Sequence, residues 1–137
     1  MTASIRLQRR LEWIDTDASG HWHNTVVIRW LEWAEGVLLD RLGMLQELYG
    51  HLPRVRIEAE FRRPLHYNDL ADIELEVAEV GRSSVTYACR VLHEGELCAE
   101  LRVVCVLRGA DGRAASFRDD LRELLLSAGE QEALQVA

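Results

Sequence analysis

Two carboxylates and two imidazoles share one short polar stretch, Asp15-Thr16-Asp17-Ala18-Ser19-Gly20-His21-Trp22-His23. A carboxylate can attack a carbonyl carbon or take a proton from water, and an imidazole can shuttle protons or ligate a metal. Acyl transfer to water also needs donors for the negative charge that collects on the carbonyl oxygen. The next residue, Asn24, opens a long apolar segment that reads as a helix as far as Gly43. The first amides of a helix have no intrahelical partner and the macrodipole is positive there, so that end welcomes an oxyanion. Asp17, seven residues before Asn24, is one carboxylate that could serve as nucleophile or general base. Asp15 and Asp17 also fit turn residues that bond nearby amides, and for Asp15 that is the reading adopted.

Metal chemistry fits less well. Asp15, Asp17, Ser19 and Gly20 match the first half of a calcium-binding loop, but its twelfth position is Val26, where a bidentate glutamate is required. His21 and His23 could chelate zinc with Asp17, yet no third well-spaced ligand follows. No metal and no cofactor are assigned.

The helix that must position this loop is unusually apolar. At 100° per residue Thr25, Arg29, Glu32, Gly36 and Asp40 fall on one narrow stripe, and most of the remaining circumference is apolar. Such a helix belongs inside the protein. Asn24 is the expected N-cap, Arg41 sits in the last turn, and Gly43 can take the left-handed conformation that ends a helix. About 19 residues make a rod of about 28 Å.

The rest of the chain is mostly alternation, which predicts strands. Odd positions from Ile5 to Trp13 are mainly apolar. Val55, Ile57, Ala59 and Phe61 form a second series that stops before Pro64, and Ile73, Leu75 and Val77 a third. Val85, Tyr87, Cys89 and Val91 precede a turn at Glu94-Gly95, and Leu97 to Leu107 returns. Ser116 with Asp119 resembles a helix start ahead of Leu121, Leu124 and Leu125. The order is one strand, a long helix, four strands and a short helix. This predicts a single α+β domain over residues 1–137, with a five-stranded antiparallel sheet closed over the central helix.

Composition narrows the function classes. The 137 residues carry a net charge of −7, which argues against non-specific binding of nucleic acid. No apolar run is long enough to span a bilayer and no apolar leader is visible, so a cytoplasmic address is expected. The three cysteines form no CxxC pair and lie in strand-like segments, as buried free thiols do.

The strand running into Asp-Thr-Asp-Ala-Ser-Gly-His, the helix start at Asn24, Arg29-Trp30-Leu31-Glu32, and Arg63-Pro64-Leu65 with Asp69 together resemble the hotdog-fold acyl-CoA thioesterases of the 4-hydroxybenzoyl-CoA thioesterase-like group. The resemblance covers residues 4 to 125. It implies that Asp17 attacks the thioester carbon or activates water, that the backbone amide of Asn24 polarises the carbonyl, and that Gly20 lets the loop approach the substrate. Many relatives place histidine or tyrosine where Asn24 stands, so side-chain help from that position would come from an amide, which does not titrate. His23 is the nearby imidazole that could substitute.

The candidate substrate-binding residues are Trp22, His23, Glu32, Arg82, Ser83 and Ser84. Trp22 would shape an acyl pocket, Glu32 would line that pocket or meet a partner subunit, and Arg82, Ser83 and Ser84 would lie near the nucleotide end of coenzyme A. The substrate is an acyl-CoA or an acyl-carrier thioester, with coenzyme A a part of the substrate. The resemblance also implies a homodimer or tetramer with sites across the seam, because a sheet edge left bare is normally paired or covered. Two alternatives stay open, since fold does not settle function. One is a hotdog hydratase or dehydratase acting on an acyl thioester, and the other is a non-catalytic acyl-CoA-binding or interaction module.

Overall fold

A computed structural model describes residues 1–133. In chain order the elements are β1 (Ser4–Arg10), a 3-10 turn (Trp13–Asp15), α1 (Val26–Arg41), α2 (Leu45–Leu48), β2 (Arg54–Phe61), β3 (Leu70–Val80), β4 (Ser84–His93), β5 (Glu96–Val106), α3 (Asp119–Ser127) and β6 (Glu130–Gln131). They form one sheet in the order β2-β5-β4-β3-β1-β6. All neighbours are antiparallel except β1 and β6.

The alternating series place their apolar members on one face. Ile5 and Leu7 of β1, Ile73, Leu75 and Val77 of β3, Val85, Tyr87, Cys89 and Val91 of β4, and Leu101, Val103 and Cys105 of β5 are all buried. They share one core with Val26, Val27, Trp30, Leu31, Ala34 and Leu38 of α1. Each large aliphatic side chain so buried contributes about 1.5–3 kcal/mol. Burial pushes the Cys89 and Cys105 thiols up to about 12 and raises that of Cys98, and all three cysteines are free. Among the described residues no helix is long and apolar enough to cross a membrane.

The architecture is the expected α+β one, with differences at its margins. The sheet has six strands where five are expected, because the chain after α3 adds two residues in parallel to β1. The first strand ends at Arg10, and Trp13, expected in it, is 77% exposed on the 3-10 turn. A short helix, α2, follows the main helix where none was expected. The main helix has 16 residues and begins at Val26, with Asn24 and Thr25 forming the turn before it. Ser116 does not cap α3, whose cap residue is Arg118; its hydroxyl instead accepts from Arg82.

The two sheet edges differ. Beside β1, the Ser4 amide donates to Gly129 and the Ala3 amide to Leu125, so the end of α3 and β6 cover that edge. Among the described residues β2 has a neighbour on one side only, β5, and seven of its eight residues are exposed, Val55, Ile57 and Phe61 among them.

Candidate active site

The loop between the 3-10 turn and α1 has a buried root and an exposed tip. At the root, Asp15 is 5% exposed. Its Oδ1 accepts from Arg29 Nη2 at 2.8 Å and its Oδ2 from the Glu12 amide at 2.8 Å. Its own carbonyl accepts from the His23 amide at 2.8 Å. Arg29 stands on the polar stripe of α1, so this carboxylate ties the loop to the helix it precedes. Higher up, Thr16 and Trp22 form a bridge, and the Trp22 amide donates to Leu65. The buried Trp22 ring meets Trp30 of α1 and, edge-on, Phe61 at the end of β2, each at 6.2 Å.

The tip is a tight turn from Asp17 to His21. The Asp17 amide donates to the His21 carbonyl and the Gly20 amide to the Asp17 carbonyl. Gly20 has φ +86°, a left-handed conformation that glycine adopts without strain. A Cβ there would meet nothing within 4 Å, so backbone conformation is what selects glycine within this chain. Asp17 is exposed. Its Oδ1 accepts from the Ser19 amide at 2.8 Å and from the Ser19 hydroxyl. Those two bonds, the hydroxyl first, hold the carboxyl below the ordinary aspartate value. Among the described residues Oδ2 has no hydrogen-bond partner.

The cap residue of α1 is Thr25, not the expected Asn24, and its side chain makes no capping bond. In the turn before it the His23 carbonyl accepts from the Val26 amide and His23 Nδ1 from the Thr25 amide at 3.2 Å. The Thr25 hydroxyl lies 2.7 Å from the same ring nitrogen. A ring nitrogen that accepts a backbone N–H is unprotonated, so His23 is committed to the helix end. No protein acceptor serves the Asn24 amide among the described residues, which leaves it available to an incoming oxygen.

The remaining candidates fall elsewhere. Glu32, exposed on α1, lines a cavity of about 710 Å³ with Glu35, Gly36, Leu39, Leu48 and Arg54. Arg82, Ser83 and Ser84 lie at the start of β4, whereas Leu65, which holds Trp22, precedes the start of β3. Because β3 and β4 are antiparallel, these are opposite ends of the sheet. Within one chain Arg82–Ser84 is therefore not brought to Asp17. Ser83 bonds Leu107 through its carbonyl, and Arg82 donates to Ser116 at 2.8 Å.

One cluster has no counterpart in the sequence reading. Glu35 of α1 is 6% exposed and pairs through Oε1 with Arg54 at the start of β2. Its Oε2 and the wholly buried Tyr87 hydroxyl have no hydrogen-bond partner among the described residues. Burial first, then the nearby Glu35 charge, raises the Tyr87 pKa well above its usual value. A carboxylate standing off the polar stripe of α1 was the available signal; its partner across the fold was not readable. Among the described residues no group of three or more His, Cys, Asp or Glu side chains is arranged to hold a metal ion.

A family profile covers this whole arrangement, from Leu11 through the loop, α1 and the sheet to Leu125; it describes the thioesterase-like superfamily and matches residues 11–125. The chain belongs to the thioesterase-like superfamily. Among solved structures of similar shape, a thioesterase of Thermus thermophilus, complexed with coenzyme A and Zn, is 27% identical. Its match covers 88% of this chain and 90% of the other, with a TM-score of 0.81. The 1,4-dihydroxy-2-naphthoyl-CoA thioesterase of Synechocystis reaches a TM-score of 0.81 over 89% and 95% of the two chains at 17% identity, a likeness of fold alone. A protein of Aquifex aeolicus described as an esterase is 24% identical over 123 residues, 86% of this chain and 94% of its own. The superfamily's hotdog fold, a sheet wrapped on one long helix, is the fold found here.

Proposed function

We propose that the chain hydrolyses acyl-CoA thioesters to free acid and coenzyme A, with Asp17 as nucleophile or general base and the Asn24 amide as oxyanion donor. The observation that carries this reading is the asymmetry of the Asp17 carboxylate, ionised and held at Oδ1 while Oδ2 is free. By the direct route Oδ2 attacks the thioester carbon, the C–S bond breaks, and the thiolate leaves and takes a proton from water. Water then hydrolyses the acyl-aspartyl anhydride. By the other route Oδ2 takes the proton of a water that attacks the same carbon. In both, negative charge grows on the carbonyl oxygen at the positive end of α1. Membership of the superfamily supports the reaction class, and the coenzyme A in the Thermus relative supports the leaving group. Coenzyme A thioesters are intracellular metabolites, in keeping with a cytoplasmic address.

The working unit in this proposal is at least a dimer. The bare, partly apolar edge of β2 supports pairing with a second copy. In an antiparallel β2–β2 pairing about a two-fold axis, the Phe61 end of one strand meets the Arg54 end of the other. The Asp17 loop, tied to Phe61 through Trp22, would then face the neighbour's Glu32, Glu35 and Arg54 and the end of its sheet that carries Arg82–Ser84. That arrangement would unite the candidate residues that a single chain keeps apart.

Release of free thiol from a panel of acyl-CoAs and acyl-carrier thioesters, read with a thiol dye, tests the function. Hydrolysis supports this reading, and the panel separates the two carriers. Conversion of an enoyl-CoA without thiol release would indicate a hydratase, and binding without turnover a non-catalytic module.

A further inference from the structure

In the turn that carries Asp17, the Ser19 hydroxyl that holds Oδ1 is itself one link of a longer chain of hydrogen bonds. Ser19 Oγ contacts Asp17 Oδ1 on one side and lies 2.9 Å from His21 Nδ1 on the other. An ionised carboxylate can only accept, and a serine hydroxyl has one proton to give. That proton therefore points to Asp17, and the hydroxyl offers His21 a lone pair. His21 Nδ1 must then carry hydrogen. The direction is fixed throughout: His21 Nδ1–H donates to Ser19 Oγ, and Ser19 Oγ–H donates to Asp17 Oδ1.

Resting on the role proposed for Asp17, we infer that Ser19 and His21 are positioning residues for it: the imidazole-to-hydroxyl-to-carboxylate chain pins Oδ1, presents Oδ2 alone to the thioester, and couples the rate to the protonation of His21. An exposed carboxylate otherwise rotates freely about its last bond and exchanges its two oxygens. Holding one of them keeps the other in an attacking geometry, and small losses of alignment are costly in rate. The coupling follows from charge. Protonation of His21 leaves its Nδ1–H in place but adds a positive charge two hydrogen bonds from Asp17, which makes Oδ2 a weaker electron donor. The groups around this ring are few. His66 meets it edge-on at 5.9 Å, Asp69 lies 3.7 Å from His66 and 3.8 Å from His93, and His23 stands on the helix side, its Nδ1 taken by the Thr25 amide.

The test uses the full chain in two ways. Nitrogen-15 NMR of the imidazoles at neutral pH should show His21 as the Nδ1–H tautomer, and Ser19→Ala should shift it toward Nε2–H and raise the Asp17 carboxyl titration. In kinetics, Ser19→Ala and His21→Leu should each lower kcat about tenfold and change KM less than about twofold, as expected when alignment is lost and binding is not. The double variant should be no slower than either single one, because both break the same chain. His21→Asn, whose amide can donate from nearly the same place, should recover most of the rate lost in His21→Leu. It should also erase the acid limb of the rate profile, because an amide does not titrate. An Nε2–H tautomer in the wild type, multiplicative losses in the double variant, or an acid limb that survives His21→Asn would each overturn the inference. If the wild type hydrolyses no thioester, the proposed function fails, and the tautomer and the Asp17 titration still decide whether the chain exists.

Discussion

Asp15 at the root of the active loop and Asp17 at its tip stand two residues apart in opposite environments. The first is buried, with one oxygen on Arg29 and the other on the Glu12 amide. The second is exposed, with both of its bonds on one oxygen and both from Ser19. Saturating the first carboxylate ties the loop to α1, and under-saturating the second leaves the free Oδ2 that the proposed function requires. Sequence proximity thus says little about role; the count of hydrogen bonds on each oxygen says much more.

The comparison breaks most sharply at Asp17. Asp17→Asn keeps size and most hydrogen bonding but removes the charge, and turnover should fall about 10²–10⁴-fold. Binding of a non-hydrolysable acyl-CoA analogue should change little, which isothermal titration can measure. Asp15→Asn should act on stability instead. It weakens a charge-assisted bond to Arg29 and disturbs the Glu12 contact, so unfolding in urea should show a loss of about 2 kcal/mol. Turnover per folded molecule should stay within about threefold. If Asp15→Asn abolishes turnover in a folded protein and Asp17→Asn does not, the two roles have been assigned the wrong way round.

A third variant asks whether the tip is complete within one chain. Ile57→Asp places a charge in the exposed face of β2, 44% exposed as a monomer. Sedimentation should shift from dimer to monomer with the thermal midpoint lowered by only a few degrees, and turnover should drop with it. A fully active monomer at micromolar concentration would sink the dimer.

The smallest effect is one of pH. The Asp17 carboxyl is lowered from 3.8 in the folded chain, so its contribution to stability is complete above that value. It is lost as pH falls through the folded value. Thermal midpoints of the wild type and Ser19→Ala should therefore differ above pH 5 and converge toward pH 2.

Much of the fold was legible because period-two alternation needs no tertiary information. Ile73, Leu75 and Val77 declare a buried face on their own. The same signal misled at β2, where Val55, Ile57 and Phe61 alternate as a core strand does, yet face solvent in the single chain. The pattern marks a surface to be covered and does not say by which molecule. Trp13 was misplaced because a 3-10 turn interrupts the strand without proline or glycine. Two-residue β6 has no period to detect. At the site, the loop and the helix start were readable from residue types. The turn before the helix was not, because a histidine ring accepts a backbone amide only when the turn geometry delivers one to Nδ1, as at Thr25. Glu35 lies about 60° off the polar stripe of α1, a visible anomaly, whereas its pairing with Arg54 depends on how β2 docks.

The burial of the cysteines has a consequence for a catalyst whose product is itself a thiol. Under the proposed function, the coenzyme A released can oxidise, and its disulfides exchange with any protein sulfur that is both exposed and ionised. Cys89 and Cys105, with thiol pKa values pushed up to about 12, hold thiolate at only about one part in 10⁴–10⁵ near neutral pH, and Cys98 is sealed with them in the core. The folded chain can therefore work in an accumulating pool of its own product without becoming covalently capped by it, and mixed disulfides at these positions would report unfolding.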